Sequence, residues 1–214
     1  MTGLLRRWRA LAKVPSPTSP DHFRPVTVFS LVYRIWSSAV SRFWLSKLDS
    51  VLDPLLLGNR PGRRATDACR MVLDIIEDAR SEGRVATGLI LDLEKAFNTW
   101  PRLPTLMAVQ LLGLPADVTT AWAGALASMR RHFHVRGNYC SGQLSDCGFP
   151  EGCGLSCLAM VAVDELLHQF LKVSTQMTTA VTYVDNWELV FSSPAVVASL
   201  QRFGSAVDFH KSDS

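Results

Sequence analysis

Two acids stand where apolar, β-prone runs stop. In TYVDNWELVF (182–191), Asp185 and Asn186 separate the two greasy halves of a hairpin. In LILDLEKAFNTW (89–100), Asp92 ends another apolar run. Hard divalent cations such as Mg²⁺ take oxygen ligands and keep water or phosphate in their remaining positions. Two strand-end carboxylates would serve such ions if the strands were neighbours. A pair of ions could then activate an attacking hydroxyl and stabilise a departing pyrophosphate. Each acid also has a plainer explanation. Asx residues suit a two-residue hairpin loop at Asp185-Asn186, and a strand-end Asp can cap the element that follows. Spacing alone does not decide between these.

The surrounding pattern is an α/β mixture. Residues 26–48 carry apolar side chains at helical spacing: Val28, Leu31, Val32, Ile35, Trp36, Ala39, Val40, Phe43 and Trp44. A turn-rich linker follows, with Pro54, Gly58, Pro61 and Gly62. Residues 65–80 form a second helical pattern, with Ala68, Val72, Ile75, Ile76 and Ala79 on one face. The run 85–94 reads as a buried strand, and helices are expected near 103–112 and 116–131. Gly137-Asn138 marks a hairpin between HFHVRG and SGQLSDCGF. A buried helix over 154–171 precedes the acidic hairpin. A helix near 194–204 and a short strand, AVDFH, close the pattern.

Bulk properties narrow the class. The chain has 214 residues, 48% hydrophobic and 19% charged, which suits one globular domain with up to two lobes. No apolar run approaches the ~20 residues of a membrane span, so no membrane partner is expected. The basic start, with Arg6, Arg7, Arg9 and Lys13, lacks the apolar core of a secretory signal. Five cysteines show no C-x-x-C spacing, which argues for reduced thiols rather than zinc. The net charge of +3 is uneven: residues 1–80 hold 13 Lys and Arg against 7 Asp and Glu, and the remainder 9 against 12. A basic part joined to a slightly acidic one fits a grip on a polyanion beside a cation site.

Six segments, in order, resemble the motifs of a reverse transcriptase, closest to those of non-long-terminal-repeat (LINE-like) retrotransposons. FRPVTVFSLVYRIWSSAVSRFW is similar to the first fingers motif, R-P-I-[ST]-L…Y-[RK]-I, and LLLGNRPGRRATDA to the second, Q-x-G-F-R-P-G-R-S-[ST]-x-D. LILDLEKAFNTW resembles palm motif A, L-D-x-x-[KN]-A-F-D, and CGFPEGCGLSCLAMVAVDELL resembles motif B, G-[VF]-P-Q-G-x-P-L-S-P. TYVDNWELVF resembles motif C, [YF]-x-D-D, and AVDFHKS resembles motif D. Together they span about residues 13–212.

The resemblance implies a polymerase palm-and-fingers fold of α/β (α+β) class. A small antiparallel palm sheet carries the metal site, with helices packed on one face. A fingers-like basic region would cover 1–84, with an N-terminal extension at 1–20, and the palm would cover 85–214. It implies RNA-directed DNA synthesis on an RNA template and DNA primer from deoxynucleotide triphosphates, with Mg²⁺ (or Mn²⁺) as cofactor. Asp92 and Asp185 become the metal-binding acids, aided by the Leu93 carbonyl and Asn186. Phe97 matches the aromatic under the incoming sugar. Arg24 and Lys13 match the triphosphate-holding bases, and Arg suits this by its planar fork of donors. Lys211 matches the lysine that protonates the leaving pyrophosphate. Arg60, Arg63 and Arg64 would face nucleic-acid phosphates. Gly152 and Ser156 match the turn under the templating base.

Several positions depart from the pattern. Asn186 stands where motif C has a second Asp, and Asn98 where motif A often has an acid. In motif B, Glu151 replaces Gln and Gly154 replaces Pro. A weakened metal site and impaired activity are the expectation. The alternative is a catalytically inactive relic that at most binds RNA or RNA–DNA hybrid. The motifs stop at D, so a thumb and endonuclease are expected in a longer parent, found in the nucleus or cytoplasm.

Overall fold

A computed structural model describes residues 7–191 apart from 14, 17, 20–22, 85, 94, 136, 137, 140 and 175–177; for some strand residues, Arg24 among them, it describes the backbone alone. The expected elements at 194–204 and 206–210 lie outside the described residues. The chain divides into two compact units, each assembled from two chain segments: Met1–Val51 with Glu94–Val163, and Leu52–Leu93 with Asp164–Ser214.

Unit one holds a sheet of short strands: β1 (Arg7–Ala12), β2 (Phe23–Val28), β4 (Arg130–Val135), β5 (Asn138–Tyr139) and β6 (Gln143–Leu144). β1 lies between antiparallel β2 and parallel β4, and β4 pairs with both β5 and β6. Val26 to Val28 therefore belong to a strand. The first helix, α1 (Leu31–Leu48), starts later than its periodicity predicts, where Ser30 Oγ accepts from the Tyr33 N–H. Its buried face is also not the expected apolar one. Tyr33, Ser37, Ser41, Leu45 and Leu48 point inward, while Leu31, Val32, Ile35 and Phe43 are exposed. The reason is a close backbone approach. A Cβ at Gly154 would sit 2.8 Å from Ser38 Cα and 2.9 Å from the Ser37 carbonyl oxygen. Small serines admit that approach where leucines would not.

Short α3 (Ala96–Thr99), then α4 (Arg102–Leu111) and α5 (Ala116–Ala127), complete this unit with the first half of α6 (Gly154–Ser174). Trp122 and Phe149 are fully buried, their ring centroids 5.2 Å apart, and they anchor its core beside Val109, Leu126 and Met129. α6 is long and apolar enough to cross a membrane by length and composition, although Asp164, Glu165 and Lys172 interrupt its apolar run. Yet 72% of its most apolar stretch is buried inside the protein, as in a core helix.

Unit two is a three-stranded antiparallel sheet, ordered β3 (Thr87–Asp92), β8 (Asn186–Phe191), β7 (Thr178–Tyr183), with α2 (Ala65–Ser81) and the second half of α6. Helices flank both faces of this sheet. Thr182 and Trp187 bond to α6 residues. On the opposite face Val181 and Tyr183 meet Leu57, Ala68, Met71, Val72 and Ile75, which confirms most of the predicted α2 stripe.

Candidate active site

The register of the small sheet brings the two acids together. Asp92, last residue of β3, pairs across the ladder with Asn186, first residue of β8. Directly opposed antiparallel residues hold their Cβ atoms about 4.5–5.5 Å apart on one face. The Leu93 N–H then donates to the Asp185 carbonyl oxygen at 3.0 Å, extending the ladder past the strand ends. Asp92, Leu93, Asp185 and Asn186 thus adjoin; Asp92 and Asn186 are exposed and Asp185 is half-buried.

The hairpin loop is shifted by one residue from its predicted place. Tyr183 pairs with Asn186, so Val184-Asp185 is the loop and Asn186 is a strand residue. Val184, a β-branched residue, takes the positive φ of 59°. That is an uncommon conformation for such a side chain, and it persists only where its surroundings impose it.

Here the constraint comes from the linker 55–58, which runs against β7. Leu57 and Gly58 N–H both donate to the Thr182 carbonyl at 2.9 and 3.3 Å, and the Thr182 N–H donates to Leu55 O at 3.1 Å. A Cβ at Gly58 would lie 2.1 Å from the Val184 nitrogen, so only glycine fits against the hairpin tip.

Behind the linker sits a buried polar clasp. Asp53 Oδ2 receives the Lys172 ammonium at 2.6 Å, and Asp53 Oδ1 accepts from the Leu55 N–H at 2.8 Å and lies 3.4 Å from His168 Nδ1. The other His168 nitrogen is 3.1 Å from the Thr182 hydroxyl. Glu165 accepts from the Asp53 N–H at 2.9 Å. Burial pushes the Asp53 carboxyl up, but Lys172, the Leu55 N–H and His168 together hold it below the ordinary value. Burial pushes the His168 imidazole below its ordinary value, against the pull of Asp53 and Glu165. Asp164, fully buried on α6, accepts from the Trp187 indole N–H at 2.9 Å, and burial followed by the charge of Asp185 pushes its carboxyl well above the usual range. No local signal in the sequence marks this clasp, because Asp53 lies more than 100 residues from Glu165, His168 and Lys172.

The three arginines of the loop divide. Arg63 and Arg64 are exposed, whereas Arg60 is buried and donates to the carbonyls of Asp53 and Leu56 at 2.7 and 2.8 Å. The expectation that Arg60 faces phosphates is therefore corrected: its guanidinium braces the linker. Arg60→Ala should lower folding stability by about 2–3 kcal/mol, because two buried carbonyls lose a charged donor. Urea denaturation measures this.

In unit one, Phe97 is half-buried, and its carbonyl accepts from the Phe149 N–H. Gly152, at φ 96°, leaves no room for a Cβ, which would sit 2.9 Å from Thr27 O. Ser156 is buried and donates to Pro150 O at 3.0 Å, bracing the loop from inside. Lys13 is exposed. The Arg24 side chain and all of Lys211 lie outside the described residues. Among the described residues, no group of three or more His, Cys, Asp or Glu side chains is placed to hold a metal ion. Two carboxylates with an amide beside them are a donor set of hard oxygens, suited to a magnesium-like ion but one charge short of three acids.

A family profile described as "Reverse transcriptase (RNA-dependent DNA polymerase)" matches residues 13–208. No curated protein sequence matches. Among solved structures, the fold is similar to apo telomerase from Candida tropicalis truncated from its C-terminal domain, with TM-score 0.65, 11% identity, and 88% of this chain against 45% of that one. It is also similar to telomerase from Candida albicans in complex with the TWJ fragment of telomeric RNA, with TM-score 0.66, 14% identity, and 95% of this chain against 40% of that one. At such identities the likeness concerns the fold. The chain spans less than half the length of either telomerase.

Proposed function

The chain belongs to the reverse transcriptase family, and we propose that the Asp92–Asp185 end of the small sheet is its nucleotidyl-transfer site, in a domain of the retrotransposon, non-long-terminal-repeat type. The observation that carries this reading is the pairing of Asp92 with Asn186, which sets both acids at one end of one sheet. Asp92 and Asp185 would hold divalent cations, with Asn186 and the Leu93 carbonyl as neutral oxygen donors. Bound there, such ions would neutralise charge on the reacting phosphates. In the proposed reaction, a primer 3′-oxygen attacks the α-phosphorus of a deoxynucleotide, the bond to the β-phosphate oxygen breaks, and pyrophosphate leaves. The protein's part is positioning and charge stabilisation. Phe97 would lie under the sugar, and Lys13 and Arg24 would meet the triphosphate. Lys211 would donate the proton to pyrophosphate, and Gly152 and Ser156 would shape the turn below the template base.

Asn186 tests the reading directly. An amide holds Mg²⁺ less well than a carboxylate, so Asn186→Asp should lower the Mg²⁺ concentration needed for primer extension roughly tenfold. Asp92→Ala should abolish extension. Mg²⁺ binding by calorimetry is a second readout, and it should tighten in Asn186→Asp and vanish in Asp92→Ala. Absence of extension and of metal binding in every variant would leave the relic reading in place.

The exposed pair Arg63 and Arg64 would contact phosphates of an RNA–DNA hybrid. Replacing both with Ala should leave folding stability within about 0.5 kcal/mol. It should also flatten the dependence of log affinity on log salt by about 1.8. An unchanged slope would remove these residues from the interface.

A further inference from the structure

Two of the departures from the family pattern touch each other. The Asn98 side-chain amide donates to Glu151 Oε1 at 2.9 Å. The pattern has an acid at the first position and Gln at the second. Asn has the shape of Asp, and Glu has the shape of Gln. Exchanging both leaves the side-chain lengths, the number of hydrogen bonds and the single negative charge of the pair as they were. Only the donor and the acceptor have changed sides. Either change alone is different. An acid at position 98 facing Glu151 would set two carboxylates within hydrogen-bond distance, where both cannot ionise freely. Asn98 facing a glutamine makes a neutral pair that can still bond amide to amide.

The bond sits where three chain segments converge. The Glu151 carbonyl accepts from the Thr27 N–H of β2 at 3.1 Å. The Gly148 N–H donates to Trp100 O at 2.8 Å, and the Phe149 N–H to Phe97 O. Gly148 is at φ 72°, and a Cβ there would lie 2.2 Å from Asn98 O. Arg102 closes the far side by donating from Nε to Gly148 O at 2.8 Å. The loop 148–152 is thus fastened through its backbone on both sides, and the Asn98–Glu151 bond joins it side chain to side chain.

We propose that Asn98 and Glu151 are a reciprocally exchanged pair acting as a positioning latch, which holds loop 148–152 against the α3 turn and β2. The latch rests on the family reading for the identity of the two positions and on the observed bond for its geometry. It makes these two departures compensated changes rather than decay, in contrast to Asn186, whose ladder partners Asp92 and Tyr183 supply no added acid.

A double-mutant cycle on the 214-residue chain tests it. Asn98→Asp, Glu151→Gln and the double variant are compared with the parent by urea denaturation. Asn98→Asp should cost about tenfold more in the folding equilibrium when position 151 is Glu than when it is Gln, a coupling of ~1.4 kcal/mol. Hydrogen exchange gives a local readout that general destabilisation would not produce. Exchange at the Thr27, Gly148 and Phe149 amides should quicken in Asn98→Asp and return toward the parent rate in the double variant. Equal costs in both backgrounds, or no restored protection, would overturn the latch. Neither readout needs polymerase activity, so an inactive chain would count against the proposed function and leave this result standing.

Discussion

Gly58→Ala should displace the acidic hairpin or prevent unit two from folding. The added methyl carbon would meet the Val184 nitrogen at 2.1 Å and its Cα at 2.9 Å, and both are backbone atoms. A clash with a flexible side chain can be relieved by a rotamer change, but this one cannot. Either the linker withdraws and loses its bonds to Thr182, or the loop Val184-Asp185 moves away from Asp92. Overpacking a well-filled site typically costs about 1–3 kcal/mol, and a backbone clash belongs at the top of that range. We expect a loss of about 3 kcal/mol in urea denaturation, with the proposed Mg²⁺ binding at Asp92 and Asp185 lost as well. A variant with parental stability and parental metal affinity would mean that the linker does not set the hairpin.

Asp53→Ala should be of similar size and should change the response to acid. The Lys172 bridge is itself half in solvent, with the Lys172 side chain 65% exposed, so that pair adds little. The loss comes from the groups left behind, the buried His168 imidazole and the part-buried Leu55 N–H, and should be about 3 kcal/mol at pH 7. Asp53 is held below its ordinary carboxyl value of 3.8, so its stabilisation is present above that pH and fades only as pH falls through the lowered value. His168 lies below its ordinary value of 6.5, so the folded state resists its protonation, and stability falls as pH drops below 6.5 toward the lowered value. Removing Asp53 takes away a charge that raises His168 and lowers it further. The gap between variant and parent should therefore widen as pH falls below 6.5. Urea midpoints at three pH values check this, and parallel curves would exclude His168 from the clasp.

The candidate site of this protein is legible in its sequence where a polar residue breaks a strong pattern. Asp92 and Asp185 stand out because apolar β-runs end at them, and the order of six segments identifies the family, because each motif is a local string. The same holds for α2, whose Ala68, Val72 and Ile75 follow a simple period and reach the core. Periodicity misleads on α1. There the apolar face lies outward and the close approach of Gly154 falls at Ser37 and Ser38, a constraint set by a residue more than 100 positions away.

The tertiary structure decided what depends on neighbours distant in the chain. Turn preference favours Asp185-Asn186, yet the loop is Val184-Asp185, because cross-strand pairing fixes the register and the linker at Gly58 presses on the tip. Charge alone groups Arg60 with Arg63 and Arg64, yet Arg60 turns inward, where the carbonyls of Asp53 and Leu56 meet its guanidinium. Asn98 and Glu151 read singly as two flaws, and only their contact makes them one bond. Local sequence determined which groups are present and which strands and helices carry them. Register, burial and contact partner are properties of the folded chain, because each is settled by atoms that the sequence keeps far apart.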